Sequence, residues 1–150
     1  MKKGILSNPR VVTALTILCM VLASCAHVTL IAPYDERIEK GITELQKNTT
    51  AFFVKIERQG GSDKEDYKNF IQFYDDSKVA VKSLLIRAGA TAQNGQTEGQ
   101  IKALLDKYNS LENQLRQFGL TSNIIPMTKT SFEVIFRAIL TLEVAKKDLK

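Results

Sequence analysis

The sequence predicts an all-α protein, an antiparallel up-down-up-down four-helix bundle after a cleaved signal peptide. From residue 35 onward, apolar side chains recur at spacings of three and four residues, the periodicity of helices that bury one face. No segment of comparable length alternates between apolar and polar residues, as a half-buried strand would. The connections between the periodic segments are short, and short connections favour antiparallel neighbours.

Four segments carry the helical pattern, and we expect helices near residues 35–59, 63–91, 98–118 and 131–149. The core positions expected from the pattern are, in chain order, Ile38, Ile42, Leu45, Thr49, Phe52 and Ile56; Tyr67, Phe70, Tyr74, Ser77, Val81, Leu84 and Ala88; Ile101, Leu104, Tyr108, Leu111, Leu115 and Phe118; and Phe132, Ile135, Ile139, Leu142 and Leu149. The implied links of about three, six and twelve residues fit the connections of helical bundles.

Local signals mark the expected helix ends. Capping boxes, in which a side-chain oxygen and a later Glu or Gln satisfy each other's backbone N–H groups, predict three helix starts. They are Ser62–Glu65, Thr97–Gln100 and Thr130–Glu133. Breaks between segments are expected at Gly60-Gly61, Asn94-Gly95 and Gly119. The long link 119–130 contains apolar residues, so we expect it to fold over one end of the bundle.

Residues 1–24 have the layout of a secretory signal peptide. Lys2, Lys3 and Arg10 precede an apolar segment of 13 residues, 11–23, and small residues follow it. A membrane-spanning helix is the alternative, but spanning a bilayer takes about 20 apolar residues. Residues 25–34 also lack the positive charge that would follow a membrane anchor. The pattern therefore favours a cleaved signal peptide.

The end of this segment, Leu22-Ala23-Ser24-Cys25, resembles the bacterial lipobox. The resemblance implies cleavage between Ser24 and Cys25, diacylglyceryl transfer to the Cys25 sulfur, and acylation of the new amino terminus with a fatty acid such as palmitate. Several acyl chains on one residue would anchor the protein stably, because each buried methylene contributes about 0.8 kcal/mol. Residues 25–34 would then be a lipidated cysteine with its tether, and residues 35–150 the bundle domain.

Two longer stretches, Ile42–Arg58 and Tyr67–Ala88, resemble segments of small, helical, uncharacterised lipoproteins of Gram-negative bacteria. That group has no catalytic motif, so the resemblance implies no activity. Ala26 follows Cys25 at the position where an Asp would resemble an inner-membrane retention signal. The resemblance therefore implies an outer-membrane location facing the periplasm.

Charge argues against a nucleic-acid partner. The whole chain has 21 basic and 16 acidic residues and a formal net charge of +5. Lys2, Lys3 and Arg10 lie in the expected signal peptide, so the mature chain keeps 18 basic and 16 acidic residues and a charge of +2. No basic cluster interleaved with aromatic residues remains, as a nucleic-acid surface would require.

The sequence also lacks the common patterns of catalytic and metal sites. His27 is the single histidine, and no mature CxxC or HExxH pattern accompanies it. Asp75 and Asp76 are adjacent on a helix and would point about 100° apart, so they do not converge. Pairs of an acid and a base four residues apart, which predict solvated faces, are Glu36–Lys40, Glu112–Arg116, Glu133–Arg137 and Glu143–Lys147. We expect no enzymatic activity, no cofactor and no metal.

The fourth helix is apolar beyond its expected core stripe. The additional residues are Val134, Phe136, Ala138, Leu140, Val144 and Ala145. A helix that is apolar nearly all round is buried, so either the link 119–130 covers it or another subunit or protein does. Val134, Leu140 and Val144 are therefore candidate interface residues.

Together these features predict a membrane-anchored, non-enzymatic envelope lipoprotein. Its bundle would act as a protein-interaction or structural module that binds a partner or itself through the fourth helix. The alternative is a periplasmic carrier of a small apolar ligand or lipid. A carrier would need an apolar cavity of several hundred Å³ between the helices.

Overall fold

Four α-helices make up most of the described residues, 31–149, in this computed structural model. They are α1 (Glu36–Arg58), α2 (Ile71–Gly89), α3 (Gly95–Phe118) and α4 (Ile125–Asp148). A 3-10 helix, Lys64–Asn69, precedes α2. Two short strands, β1 (Gly61–Ser62) and β2 (Leu120–Thr121), pair antiparallel. The predicted all-α helical bundle is confirmed.

Contacts between helix ends give the direction of each helix. Every helix packs against its neighbours in the chain, and α4 also packs against α1. Lys129 near the start of α4 binds Glu57 near the end of α1, with an Nζ–Oε1 distance of 3.0 Å. Arg87 near the end of α2 binds Asp35, which immediately precedes α1, at 2.6 Å. The helices therefore alternate in direction around the bundle.

The core follows the predicted stripes closely in α1, α2 and α3. All six positions expected in α1 are buried, and Phe53 joins them. Five of the six expected positions in α3 are buried, whereas Phe118, the last residue of the helix, is exposed. Aromatic rings fill the middle of the core, where Phe52 stacks on Phe73 at 4.2 Å and Tyr108 meets Phe132 edge-on at 5.0 Å. Aromatic pairs of these kinds add to the energy of apolar burial.

The buried stripe of α4 differs from the predicted one. Phe132 and Ile139 are buried as expected, but Ile135 and Leu142 are only half-buried and Leu149 is exposed. The side chains that complete the buried face are Phe136, Glu143 and Lys146. Charged residues inside a bundle are unfavourable unless they are paired, and the predicted stripe contained apolar residues only. It therefore left out Glu143 and Lys146.

Two predicted helix starts are wrong, and a third is displaced. α3 begins at Gly95, so Thr97 lies inside its first turn, and α4 begins at Ile125 instead of residue 131. Pro126 suits the first turn of a helix because it has no N–H that needs a partner there. The helix expected at 63–91 is divided, since residues Lys64–Asn69 form the 3-10 helix and α2 begins only at Ile71. The capping box before it is shifted by one residue, because the Asp63 N–H donates to the Asp66 carboxylate at 3.1 Å.

Strands β1 and β2 join the link after α1 to the link after α3 at one end of the bundle. Gly61 pairs with Thr121, and Ser62 pairs with Leu120. Gly119 leads into β2 with a φ of 77°, and a Cβ atom there would lie 2.4 Å from the Ser62 carbonyl oxygen. Only glycine tolerates both the backbone conformation and this close approach. The link after α3 is therefore short and fixed, and it covers only this end of the bundle.

Candidate functional site

The predicted lipidation and cleavage residues lie outside the described part of the chain. Cys25, Ser24 and also His27 precede residue 31, where the description begins. Acylation of Cys25 therefore stays a prediction. The described residues instead define three features that bear on function: the outer side of α4, a groove along it, and a polar cluster beneath it.

The three predicted interface residues share the outer side of α4. Val134 is 61% exposed and Val144 46% exposed, whereas Leu140 is half-buried against the core. Successive helical residues turn by about 100°, so these three side chains span a sector about 120° wide. The link after α3 does not cover this sector, because residues 125–130 belong to α4 itself. Among the described residues, Val134 and Val144 remain largely uncovered.

A groove of about 710 Å³ runs along this side, between α3 and α4. Its apolar lining comes from α4, and Gln96 and Gln100 of α3 add amide groups. The apolar lining residues are Val134, Ala138, Leu142 and Ala145. The α4 lining extends from Thr130 to Ala145, or ~22 Å at 1.5 Å per residue. The groove is thus long enough for four turns of a helix or for an extended chain.

Two opposite charges lie in the groove lining without an ion-pair partner among residues 31–149. Glu133 and Arg137 are four residues apart, and within residues 31–149 their side chains make no ion pair or hydrogen bond. Both lie inside the sector bounded by Val134 and Leu140. Of the four predicted acid–base pairs, only Glu36–Lys40 forms among the described residues, at 2.8 Å.

A buried ion pair lies on the opposite, inward side of α4. Glu143 is 0% exposed and Lys146 is 4% exposed. The Lys146 ammonium group donates to Glu143 Oε1 at 2.6 Å, to Asn94 Oδ1 at 2.6 Å and to Thr97 Oγ1 at 2.7 Å. An ammonium group has three donors, so all of them are used. The Thr97 hydroxyl also donates to Glu143 Oε1 at 3.0 Å, which closes the cluster.

This cluster was not predicted from the sequence. The spacing of acid and base predicted a solvated Glu143–Lys147 pair, and that prediction is wrong because Glu143 points inward and binds Lys146. A signal was present in the spacing: Glu143 and Lys146 continue the series begun by Phe132, Phe136 and Ile139. Thr97 likewise continues the α3 stripe, one step before Ile101. Polar residues at regular core positions indicate a buried network when each can find a partner.

The segment that precedes α1 is fastened to the same end of the bundle. The Ala32 N–H donates to the Gln93 carbonyl at 3.3 Å, and the Asp35 N–H donates to Glu143 Oε2 at 3.3 Å. The Tyr34 hydroxyl donates to Glu39, and the Lys147 ammonium lies 5.3 Å from the centre of the Tyr34 ring. Residues 32–34, which the sequence assigns to the tether 25–34, are therefore held against the bundle.

Electrostatics at this segment follow from its contacts. Burial alone would raise the pKa of Asp35, but hydrogen bonds from the Arg87 guanidinium and the Arg37 N–H outweigh it, so the pKa is lowered. The hydrogen bond to the Glu39 carboxylate, with a smaller contribution from burial, raises the pKa of Tyr34 to about 12. Both groups therefore keep their ordinary charge at neutral pH, and the Arg87–Asp35 ion pair persists there.

The acidic side chains of the described residues do not gather into a metal site. Within residues 31–149 no group of three or more His, Cys, Asp or Glu side chains is placed to hold a metal ion. Asp75 and Asp76 are both exposed, and Asp76 accepts a hydrogen bond from Gln72 at 2.7 Å. No helix in this part of the chain combines the length and hydropathy needed to cross a bilayer.

Comparisons with known proteins identify no relative of this chain. No protein-family model, no curated protein and no solved structure matches the chain.

Proposed function

We propose that this chain is a lipid-anchored envelope lipoprotein without enzymatic activity, whose helical bundle serves as a protein-interaction module. The exposed apolar side chains on the outer side of α4 carry this proposal. A sector that presents Val134 and Val144 to solvent beside a long groove has the composition of a contact surface. The expected location is the outer membrane, on its periplasmic face.

The position of residues 32–35 supports a membrane-proximal role. These residues are held against one end of the bundle, so the chain between Cys25 and Ala32 is the only length available as a tether. Seven residues span at most ~25 Å when fully extended. An acylated Cys25 would therefore keep the bundle close to the bilayer, where it can meet other envelope proteins.

The anchor is tested by intact-mass spectrometry of the full chain purified from bacterial membranes, with radiolabelled palmitate as a second measurement. We expect a mature chain that begins at Cys25 and carries acyl groups. Cys25→Ser should abolish labelling and leave the precursor unprocessed, whereas Cys19→Ser should change neither result. A wild-type chain that begins at an unmodified Met1 and keeps both thiols would refute the anchor.

The interaction surface is tested by crosslinking in intact cells followed by affinity purification of the full chain. Val134→Glu should abolish a specific crosslinked product, because a buried carboxylate without a partner opposes association. Val79→Glu is the matched control, since Val79 is 68% exposed on α2 and away from α4. Equal crosslinking by both variants and the wild type would contradict the assignment of this surface.

A carrier of a small apolar ligand or lipid is the second candidate, and the groove is the observation that favours it. Its volume of about 710 Å³ lies within the range of ligand sites. Ala138→Trp should fill the groove and abolish binding of a fluorescent fatty acid, whereas Val79→Trp should not. No saturable binding by the wild-type chain would exclude this function for the fatty-acid class.

A further inference from the structure

We infer that the partner of the outer side of α4 is a second copy of this chain, packed antiparallel about a twofold axis near residue 135. The inference rests on the proposed function of this surface and names its partner. Twofold dimers are the commonest soluble oligomers, and in them one surface binds its own copy. The features that select this arrangement are the two charges without partners and the apolar residues around them.

The charges determine the direction of the second helix. In an antiparallel pair with its axis at residue 135, positions equally far from 135 face each other. Glu133 then faces the partner's Arg137, and Arg137 faces the partner's Glu133, which gives two reciprocal ion pairs. A parallel twofold pair would instead place Glu133 against the partner's Glu133, and like charges repel. The spacing of four residues is therefore self-complementary only in the antiparallel arrangement.

Apolar side chains surround the charges. Val134, Leu140 and Val144 lie within about 80° of Arg137 on the helix, so an opposing helix at this position would bury them. Ala138 and Thr141 are small, which permits the interaxial distance of about 8–10 Å that packed helices need. The groove of ~22 Å accommodates about four turns of the second α4.

The same charges argue against an acyl chain as the occupant. A lipid tail in this groove would remove the charges of Glu133 and Arg137 from water and give them only apolar contacts in exchange, and that burial is costly. A second copy instead presents an opposite charge to each of them. Two copies on one membrane also meet at a high effective concentration, and both can remain on that membrane when the twofold axis stands along its normal.

Charge reversal in the full chain tests this dimer. Copies with two different affinity tags are co-expressed and solubilised in detergent. The protein is purified through one tag, and the copy that carries the other tag is quantified in the eluate. We expect wild type to recover wild type. Glu133→Arg alone and Arg137→Glu alone should each reduce self-recovery about tenfold, because two weak attractions become repulsions. Asp75→Arg, an exposed charge reversal on α2, should leave recovery unchanged.

Complementary charges should restore the pair. A copy with Glu133→Arg should recover a copy with Arg137→Glu at the wild-type level, and the double variant should recover itself. Circular dichroism checks that each variant is folded. Absence of self-recovery by wild type, or self-recovery by Glu133→Arg equal to wild type, would overturn the inference. Either result would leave the acylation of Cys25 intact, so failure of the dimer and failure of the anchor are distinguishable.

Discussion

Replacement of Lys146 by methionine tests the buried ion pair most directly. Methionine retains most of the side-chain volume but removes the charge, so Glu143 is left 0% exposed without its cation. The change also deletes the charge-assisted hydrogen bonds to Asn94 and Thr97. Breaking one side of a buried pair costs about 3–5 kcal/mol. With a urea m-value of about 2 kcal/mol/M, the unfolding midpoint should fall by about 2 M.

The assay is urea unfolding followed by far-ultraviolet circular dichroism. Lys147→Met is the control, because the sequence pattern paired Lys147 with Glu143 whereas the structure leaves Lys147 exposed. Its midpoint should change by less than about 0.5 M. The double variant Glu143→Leu with Lys146→Met should recover much of the loss, since it removes both buried charges. Equal losses for the two lysine variants, or no recovery in the double variant, would refute the reasoning.

Three further predictions follow from single contacts. Gly119→Ala should destabilise the bundle by at least ~2 kcal/mol more than Gly60→Ala. Both glycines have positive φ, but only a Cβ at position 119 would clash with a carbonyl oxygen, at 2.4 Å. Thermal unfolding compares the two variants, and equal losses of stability would contradict this prediction. The Thr49 hydroxyl is hydrogen-bonded to the buried Tyr108 hydroxyl, which Ser77 also contacts. Thr49→Val should therefore cost about 0.5–1.5 kcal/mol in urea unfolding, the net value of one hydrogen bond. No loss of stability would contradict this. Asp35→Asn should lower stability at pH 7. Since the folded pKa of Asp35 is lowered, its contribution is present above the unfolded pKa of about 3.9 and disappears as the pH falls through the folded pKa. The difference between wild type and the variant in pH-dependent urea unfolding should shrink below pH 4, and a constant difference would refute the assignment.

Periodicity predicted the helices well wherever apolar residues alone line the core. The first helix was expected at 35–59 and spans Glu36–Arg58. Its apolar stripe is uninterrupted, Pro33 and Asp35 precede it, and Gly60-Gly61 follow it. The capping-box motif was less reliable, because a hydroxyl three residues before a Glu or Gln also occurs inside helices. Thr130–Glu133 is such a case, five residues inside α4.

The apolar residues in excess on α4 are exposed at some positions and buried at others. Val134 and Val144 are exposed on one side of α4, where the excess of apolar residues suggested a contact surface. Phe136 belonged to the same apolar excess, yet it is buried in the core, because the stripe of α4 is rotated relative to the predicted one. Composition indicated that α4 has more apolar residues than one buried face can hold. Packing of the helices determined which of these residues are exposed to solvent.

The sequence by itself determined the fold class, because the pattern that forms an amphipathic helix is local and repeats every three to four residues. It also carried the expectations about the anchor, since a lipobox is a contiguous motif. Spacing places Glu143 and Lys146 at core positions, but only the tertiary structure decided which partners they find there. Glu143 and Lys146 are tolerable inside the bundle because Asn94 and Thr97, about fifty residues earlier, are brought to them. Hydrogen bonds between residues so far apart depend on how the helices pack, and no local pattern specifies that.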